Sequence, residues 1–260
     1  MAAIPLQRFV ALYDLHWGYE RKGGRLHELH DPRALAVAMA FIGDFNPHHI
    51  ILGGDMLDCG AISHHNDRKP GCIEGLRVDR DAEELRHTVL EPLERRRSRS
   101  LTYLIGNHED WLNQIAEVMP GLGTRVSPEA LLGLGPKWKV VQRGGFHRLG
   151  KLIFKHGDTI KGGEHAAKAA VISSERSIRF GHRHTFAAYT KLSDVDLKQK
   201  HTGISLPCLA QKGPGYGQGQ ANRWVSGFNY GWILPGGAFS DYVPLIINNR
   251  AVIEGKLYCG

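Results

Sequence analysis

The 260-residue chain is 42% hydrophobic and 23% charged, an ordinary globular composition with no apolar run of membrane-spanning length. Lys and Arg number 33 against 26 Asp and Glu, and the net charge of +7 suits anionic partners such as nucleic acid, nucleotides or phosphorylated molecules without choosing among them. Cys59, Cys72, Cys208 and Cys259 are scattered without a CxxC pair, which argues against a zinc ribbon and a disulfide framework, and residues 1–10 lack the basic and long apolar regions of a secretory signal; a cytoplasmic protein of one domain, residues 1–260, is the expectation.

In chain order, the apolar run 9–13 predicts a strand that ends in Asp14-Leu15-His16. Residues 33–45 carry apolar side chains at helical spacing, 49–52 form a second strand-like run closed by Gly53-Gly54-Asp55, and 80–97 read as a charged amphipathic helix. Residues 101–105 predict a third strand closed by Gly106-Asn107-His108-Glu109, with a helix following through Val118. Strand and helix thus alternate in the first half, the pattern of a βαβ-type sheet. The second half reads differently: β-hairpins over 137–154, ending in His156-Gly157-Asp158, then a helix over 164–174. Arg179-Phe180 leads into Gly181-His182-Arg183-His184, strands are predicted over 187–192, 203–209 and 242–247, and 212–220 is a Gly-rich loop around Tyr216. The sum is a mixed α/β sandwich.

Five polar clusters sit where strand-like runs end: Asp14-x-His16, Gly54-Asp55-x-x-Asp58, Gly106-Asn107-His108-Glu109, His156-Gly157 and Gly181-His182-x-His184. Strand ends are where α/β folds place their crevices. Carboxylate, imidazole and amide side chains without thiolate suit Mn, Fe, Zn, Ni or Co. Along an extended segment a two-residue period sends Asp14 and His16 to one side, within reach of one metal ion. Singly, each cluster reads as well as a turn or surface loop; five in this order do not.

In these residues the sequence resembles the calcineurin-like metallophosphoesterases, whose five motifs are matched in order across residues 14–184. The resemblance implies an α/β fold, a four-layer α/β/β/α sandwich of two mixed β-sheets flanked by helices, with two divalent metal ions, Mn foremost. One ion would be held by Asp14, His16, Asp55 and His184 and the other by Asp55, Asn107, His156 and His182, with Asp55 bridging. His108 would face the substrate beside Asn107 and protonate the leaving oxygen, and Asp58 would hydrogen-bond His108 and keep it oriented and charged. Two such ions lower the pKa of a bridging water toward neutrality and neutralise charge on the phosphoryl group. Cys59 stands where the protein phosphatases of this superfamily carry an Arg, and Gly-His-x-His is similar to the phosphodiesterase and nuclease branches. Gly-Asn-His-Glu-Asp and the Trp- and Gly-rich tail, 224–255, resemble metallophosphoesterases of tailed phages and prophages.

The expected activity is hydrolysis of phosphate esters, foremost of phosphodiesters in nucleic acid (DNA or RNA) or of nucleotide type; a phosphomonoesterase and a non-catalytic scaffold are the competing readings. Arg183, between two histidines of the last motif, is a candidate phosphate contact. His64 and His65 read equally as substrate contacts or a solvated loop. Arg95, Arg96, Arg97 and Arg99 read as a nucleic-acid track or as the charged end of a helix. Trp224, Phe228, Tyr230 and Trp232 read first as core packing and second as base-stacking rings. No membrane partner is expected, and oligomeric state leaves no trace in the sequence.

Overall fold

β1 (Gln7–Leu12) shows why the layers form. Its side chains alternate, as a pleated strand requires: Val10 and Leu12 enter one apolar cluster and Phe9 and Ala11 enter another on the opposite face. The computed structural model describes residues 6–66, 69–98, 100–195, 200–211 and 223–260. After β1 come a small hairpin, β2 (Tyr19–Lys22) and β3 (Arg25–Glu28), then α1 (Pro32–Phe45) and β4 (His49–Leu52). Asp31 caps α1 by accepting from the amides of Arg33 and Ala34, and Asn46 ends the helix in a left-handed conformation. α2 (Pro70–Ile73) is followed by α3 (Val78–Leu85), a π-helical turn over Arg86–Leu90 and α4 (Glu91–Glu94). The amphipathic stretch 80–97 is therefore one interrupted helical run, and its Arg95 closes the last turn on Glu91 at 3.1 Å.

β5 (Ser100–Leu104), α5 (Asn107–Val118), α6 (Pro128–Leu132) and β6 (Trp138–Val141) complete the first half. The second half holds β7 (His147–Leu149), β8 (Leu152–Lys155), α7 (Ala166–Ser174), β9 (Ser177–Phe180), β10 (Ala187–Leu192) and β11 (Lys200–Ser205). Last come β12 (Asn229–Ile233), β13 (Phe239–Tyr242) and the terminal hairpin β14 (Arg250–Ile253) and β15 (Lys256–Cys259).

The first sheet runs in the order β13-β12-β1-β4-β5-β6, parallel from β1 to β6 and antiparallel at β12 and β13. The second runs β10-β11-β9-β8-β7, with a parallel centre and antiparallel edges. Three apolar clusters separate four layers. One joins the first sheet to α1, α3 and α5; one, around Phe9, Tyr13, Ile51, Leu104 and Phe154, lies between the sheets; the third packs Ile178 and Phe180 against α7. This is the expected α/β/β/α sandwich of two mixed sheets.

Two expectations are corrected. Residues 137–154 are not a run of hairpins: β6 joins β5 in the first sheet, and only β7 and β8 pair as a hairpin in the second. No strand covers 242–247: β13 ends at Tyr242, and Leu245 and Ile247 make only isolated bridges. The first error arises because apolar alternation marks a strand but not its partner. Tyr216 and the loop 212–220 lie outside the described residues, as does Arg99.

Candidate metal centre

All five clusters arrive at one place. β1, β4, β5, β8 and β9 end in the loops that carry them, and the parallel pairings bring their carboxyl ends together. The chain does not stay extended there. Asp14, His16, Asp55, His182 and His184 all have φ between +50° and +66°. The two-residue reading of Asp14 and His16 is therefore corrected: both lie past the end of β1 in left-handed backbone, which each side chain adopts at a cost of roughly 1–3 kcal/mol. The loops are locked by main-chain bonds, among them Asp14 N to Gly54 O at 3.1 Å and His16 N to Asp55 O at 2.9 Å.

Close approach depends on glycine at two points. A Cβ on Gly106 would sit 2.1 Å from Asp55 Oδ1, and one on Gly54 would sit 2.6 Å from His156 Nδ1.

The donors converge in a pattern that fits cations. Asp14, His16 and His184 form one cluster, Asp55, His156 and His182 a second, and His16, Asp55 and His108 a third that shares residues with both, with one donor atom from each residue within 4.8 Å of the others in its cluster. Each carboxylate spends one oxygen on the backbone and turns the other inward. Asp14 Oδ2 accepts from His182 N at 2.7 Å, leaving Oδ1 buried without a hydrogen bond. Asp55 Oδ1 accepts from His108 N at 3.0 Å, leaving Oδ2 3.2 Å from His156 Nε2. The imidazoles are set the same way. His16 Nδ1 lies 2.8 Å from Asp58 Oδ1 and His156 Nδ1 3.0 Å from Gly53 O, so a proton on each Nδ1 leaves an Nε2 lone pair facing the centre. His16 Nε2 and His184 Nε2 stand 3.2 Å apart, and Asn107 Oδ1 is 3.0 Å from His156 Nε2. These are electron-pair donors gathered around common points, an arrangement that a divalent cation relieves.

The electrostatics agree. Burial opposes ionisation of Asp55, yet His156, His108 and His16 hold its carboxyl well below the usual range. Burial likewise opposes charge on His156, but Asp55 and Asp14 push it up to about 10. A field that keeps a proton there so firmly also attracts a metal ion in its place. His182 and His184 are held down by burial and, for His182, by His156, which favours neutral rings.

His108 opens α5 and stands at its positively polarised end. Its Nδ1 lies 2.6 Å from the carbonyl oxygen of Asp58 and 3.5 Å from that residue's carboxylate. The Asp58–His108 bond read from the motif is thus made chiefly by the main chain, because the carboxylate is committed to His16. Asp55 and Asp58 still outweigh burial and raise His108 to about 10. Arg183, the candidate phosphate contact, instead donates to Ile160 O at 2.6 Å.

Three residues carry more of the site than the sequence indicated. Glu109 is fully buried and accepts from the amides of Asp55, Met56, Leu57 and Gly106 and from Tyr103 Oη, at 2.7–3.1 Å. It ties the Asp55 loop to the Asn107 loop; its place in the fourth motif position was the signal. Trp111, one turn along α5, packs on His108 at 4.4 Å and meets His64 and His65 at 5.7 and 6.2 Å. Trp224 packs edge-on to His184 at 4.0 Å, whereas Phe228, Tyr230 and Trp232 belong to the core, as their first reading had it. Nothing near Trp224 in sequence marks its place.

The sequence matches no family model and no curated protein. Solved structures similar to this chain include Vps29 from Chaetomium thermophilum, at 11% identity and TM-score 0.49, covering 97% of this chain and 98% of that one. YfcE, a phosphoesterase from E. coli, is 10% identical with TM-score 0.42 over 91% of this chain and 98% of its own. A dimetal phosphatase from Danio rerio is 11% identical with TM-score 0.42 over 92% and 98%. At this distance such likenesses assign no residue, and the chemistry follows from the site itself.

Proposed function

We propose that this chain is a dimetal phosphoesterase whose preferred substrates are phosphodiesters of nucleic acid or nucleotide type. The observation that carries the reading is the convergence of inward-facing donors, with a charged His108 against their shared residues His16 and Asp55. Asp14, His16, Asp55 and His184 would hold one ion and Asp55, Asn107, His156 and His182 the other, Mn being the favoured metal. When bound, such ions supply Lewis acidity, lowering the pKa of a water and neutralising phosphoryl charge.

The chain's own residues do the rest. With Nδ1 engaged by Asp58, His108 carries its second proton on Nε2 and delivers it to the leaving oxygen as the P–O bond breaks. Glu109 keeps the Asp55 and Asn107 loops in register while this happens. Trp111, His64 and His65 on one side and Trp224 on the other offer ring faces and imidazoles to the groups flanking the phosphate. The basic charge of the chain also favours a polyanionic substrate.

The test is hydrolysis of bis-p-nitrophenyl phosphate against p-nitrophenyl phosphate with added Mn²⁺ and an EDTA control. Faster diester turnover, abolished by EDTA, is expected. Faster monoester turnover would replace the diester reading with a phosphomonoesterase, and turnover that survives EDTA would overturn the metal assignment.

A further inference from the structure

At the opposite end of the second sheet lies a groove with a cavity volume of about 960 Å³. It runs from the start of β8 along β9 to Arg179 and along β11 to Ile204, and none of its lining residues is a candidate metal ligand. From Ile153, the groove's lining residue on β8, to His156 the chain rises roughly 10 Å at strand spacing, so the groove is a separate place and not an extension of the candidate centre.

Its chemistry is cationic and aromatic. Arg148, Lys151, Arg176 and Lys200 line it and are all exposed. Asp241 is the only carboxylate among its described lining residues, and Arg179 takes both of its oxygens at 2.6 and 2.7 Å. The four outer cations therefore face the groove with no carboxylate in its lining left to answer them. Phe146 is 58% exposed at the rim, and Phe239 lies over the Arg179 guanidinium, 5.4 Å from ring centroid to carbon. An isolated apolar ring on the surface needs no explanation, but one set among unanswered cations combines a stacking face with phosphate-binding charge.

We propose that this groove binds single-stranded nucleic acid, its cations following the phosphates and Phe146 and Phe239 receiving unstacked bases. A duplex hides its base faces and leaves the rings unused; the cavity also exceeds what one phosphate fills. The proposal rests on the nucleic-acid reading of the substrate. It adds a second contact that holds a polymer away from the scissile bond, so polynucleotides gain affinity that small diesters do not.

The experiment is fluorescence anisotropy of a labelled oligothymidylate in EDTA, with wild type, the triple variant R148E/K151E/K200E and Phe146→Ala. Wild type is expected to bind, with affinity falling steeply with salt. The triple variant should bind at least tenfold more weakly with a shallower salt dependence, and Phe146→Ala about tenfold more weakly at unchanged salt slope. Turnover of bis-p-nitrophenyl phosphate with Mn²⁺ should be unchanged in both, and it reports that the fold is intact. Wild-type affinity in the triple variant with intact turnover would overturn the groove. Should that variant fail to fold, unweakened binding by Phe146→Ala, whose ring is exposed, would overturn it instead. Groove-dependent binding without cleavage of the oligonucleotide would sink the substrate reading and leave the groove standing. Cleavage of the oligonucleotide with binding indifferent to both substitutions would do the reverse.

Discussion

His108 concentrates the chemistry at the scale of a single residue. Raised to about 10, it stays protonated below that value and loses its proton as pH rises through it. The proposed leaving-group acid is therefore in its competent form across the neutral range. His108→Ala is expected to retain both metals by elemental analysis and to lose about 10²–10⁴-fold in kcat on esters with poor leaving groups. An alkaline limb in the wild-type profile should be missing in the variant; equal rates would remove the acid role. His147 shows the opposite sign. It is 7% exposed on β7, neither ring nitrogen has a hydrogen bond, and burial, helped by Lys139 and His49, lowers it to about 4. The unfolded chain takes up this proton near pH 6.5, so its contribution to stability is lost as pH falls from about 6.5 toward 4 and does not change further below. His147→Leu should lower the loss of Tm between pH 7 and 5, and an unchanged loss would exclude His147 as its source.

The elements matter at the site through how their ends are joined. α5 begins at Asn107, so one turn of helix places Asn107 and His108 at the centre, Glu109 beneath it and Trp111 against His108. Glu109 accepts four backbone amides from two loops, a task that needs an anionic group with two acceptor oxygens. In Glu109→Gln one acceptor becomes a donor facing other donors. Such support is typically worth 10–100-fold in metal affinity. The expected outcome is a half-saturating Mn²⁺ concentration raised by about that factor, with kcat largely recovered at saturation. A variant that loses Tm while its Mn²⁺ requirement stays put would make Glu109 merely structural.

For the whole molecule, the decisive contact joins the two sheets. Arg179 on β9 and Asp241 on β13 form a bidentate pair with side chains 2% and 6% exposed. Thr202 O and Oγ1 accept from the same guanidinium, and Asn229 Nδ2 donates to Asp241. Asp241→Ala leaves a buried cation without its partner, a loss of about 3–5 kcal/mol. Urea denaturation should register it as a lower midpoint at unchanged slope; a loss under 1 kcal/mol would mean the pair is dispensable. Because β12 and β13 come from the end of the chain and β9 from its middle, this contact sets how the sheets face each other.

The local chemistry is written in the sequence: strands at 9–13, 49–52 and 101–105, the helix after 107, and the polar clusters that close them. Short-range alternation and glycine placement encode these, because a strand end and a tight turn are decided within a few residues. The two mixed sheets followed from the resemblance, not from periodicity. It took the folded chain to show that β6 leaves the apparent hairpin for the first sheet, that Asp58 gives its carboxylate to His16 and its carbonyl to His108, and that Trp224 packs on His184. The fold also turned Arg183 to Ile160 and gathered the basic groove from six strands and the loops between them. Each of these is a pairing between segments far apart in the chain, and a side chain's residue type specifies what it can bond, not which distant partner the fold brings to it.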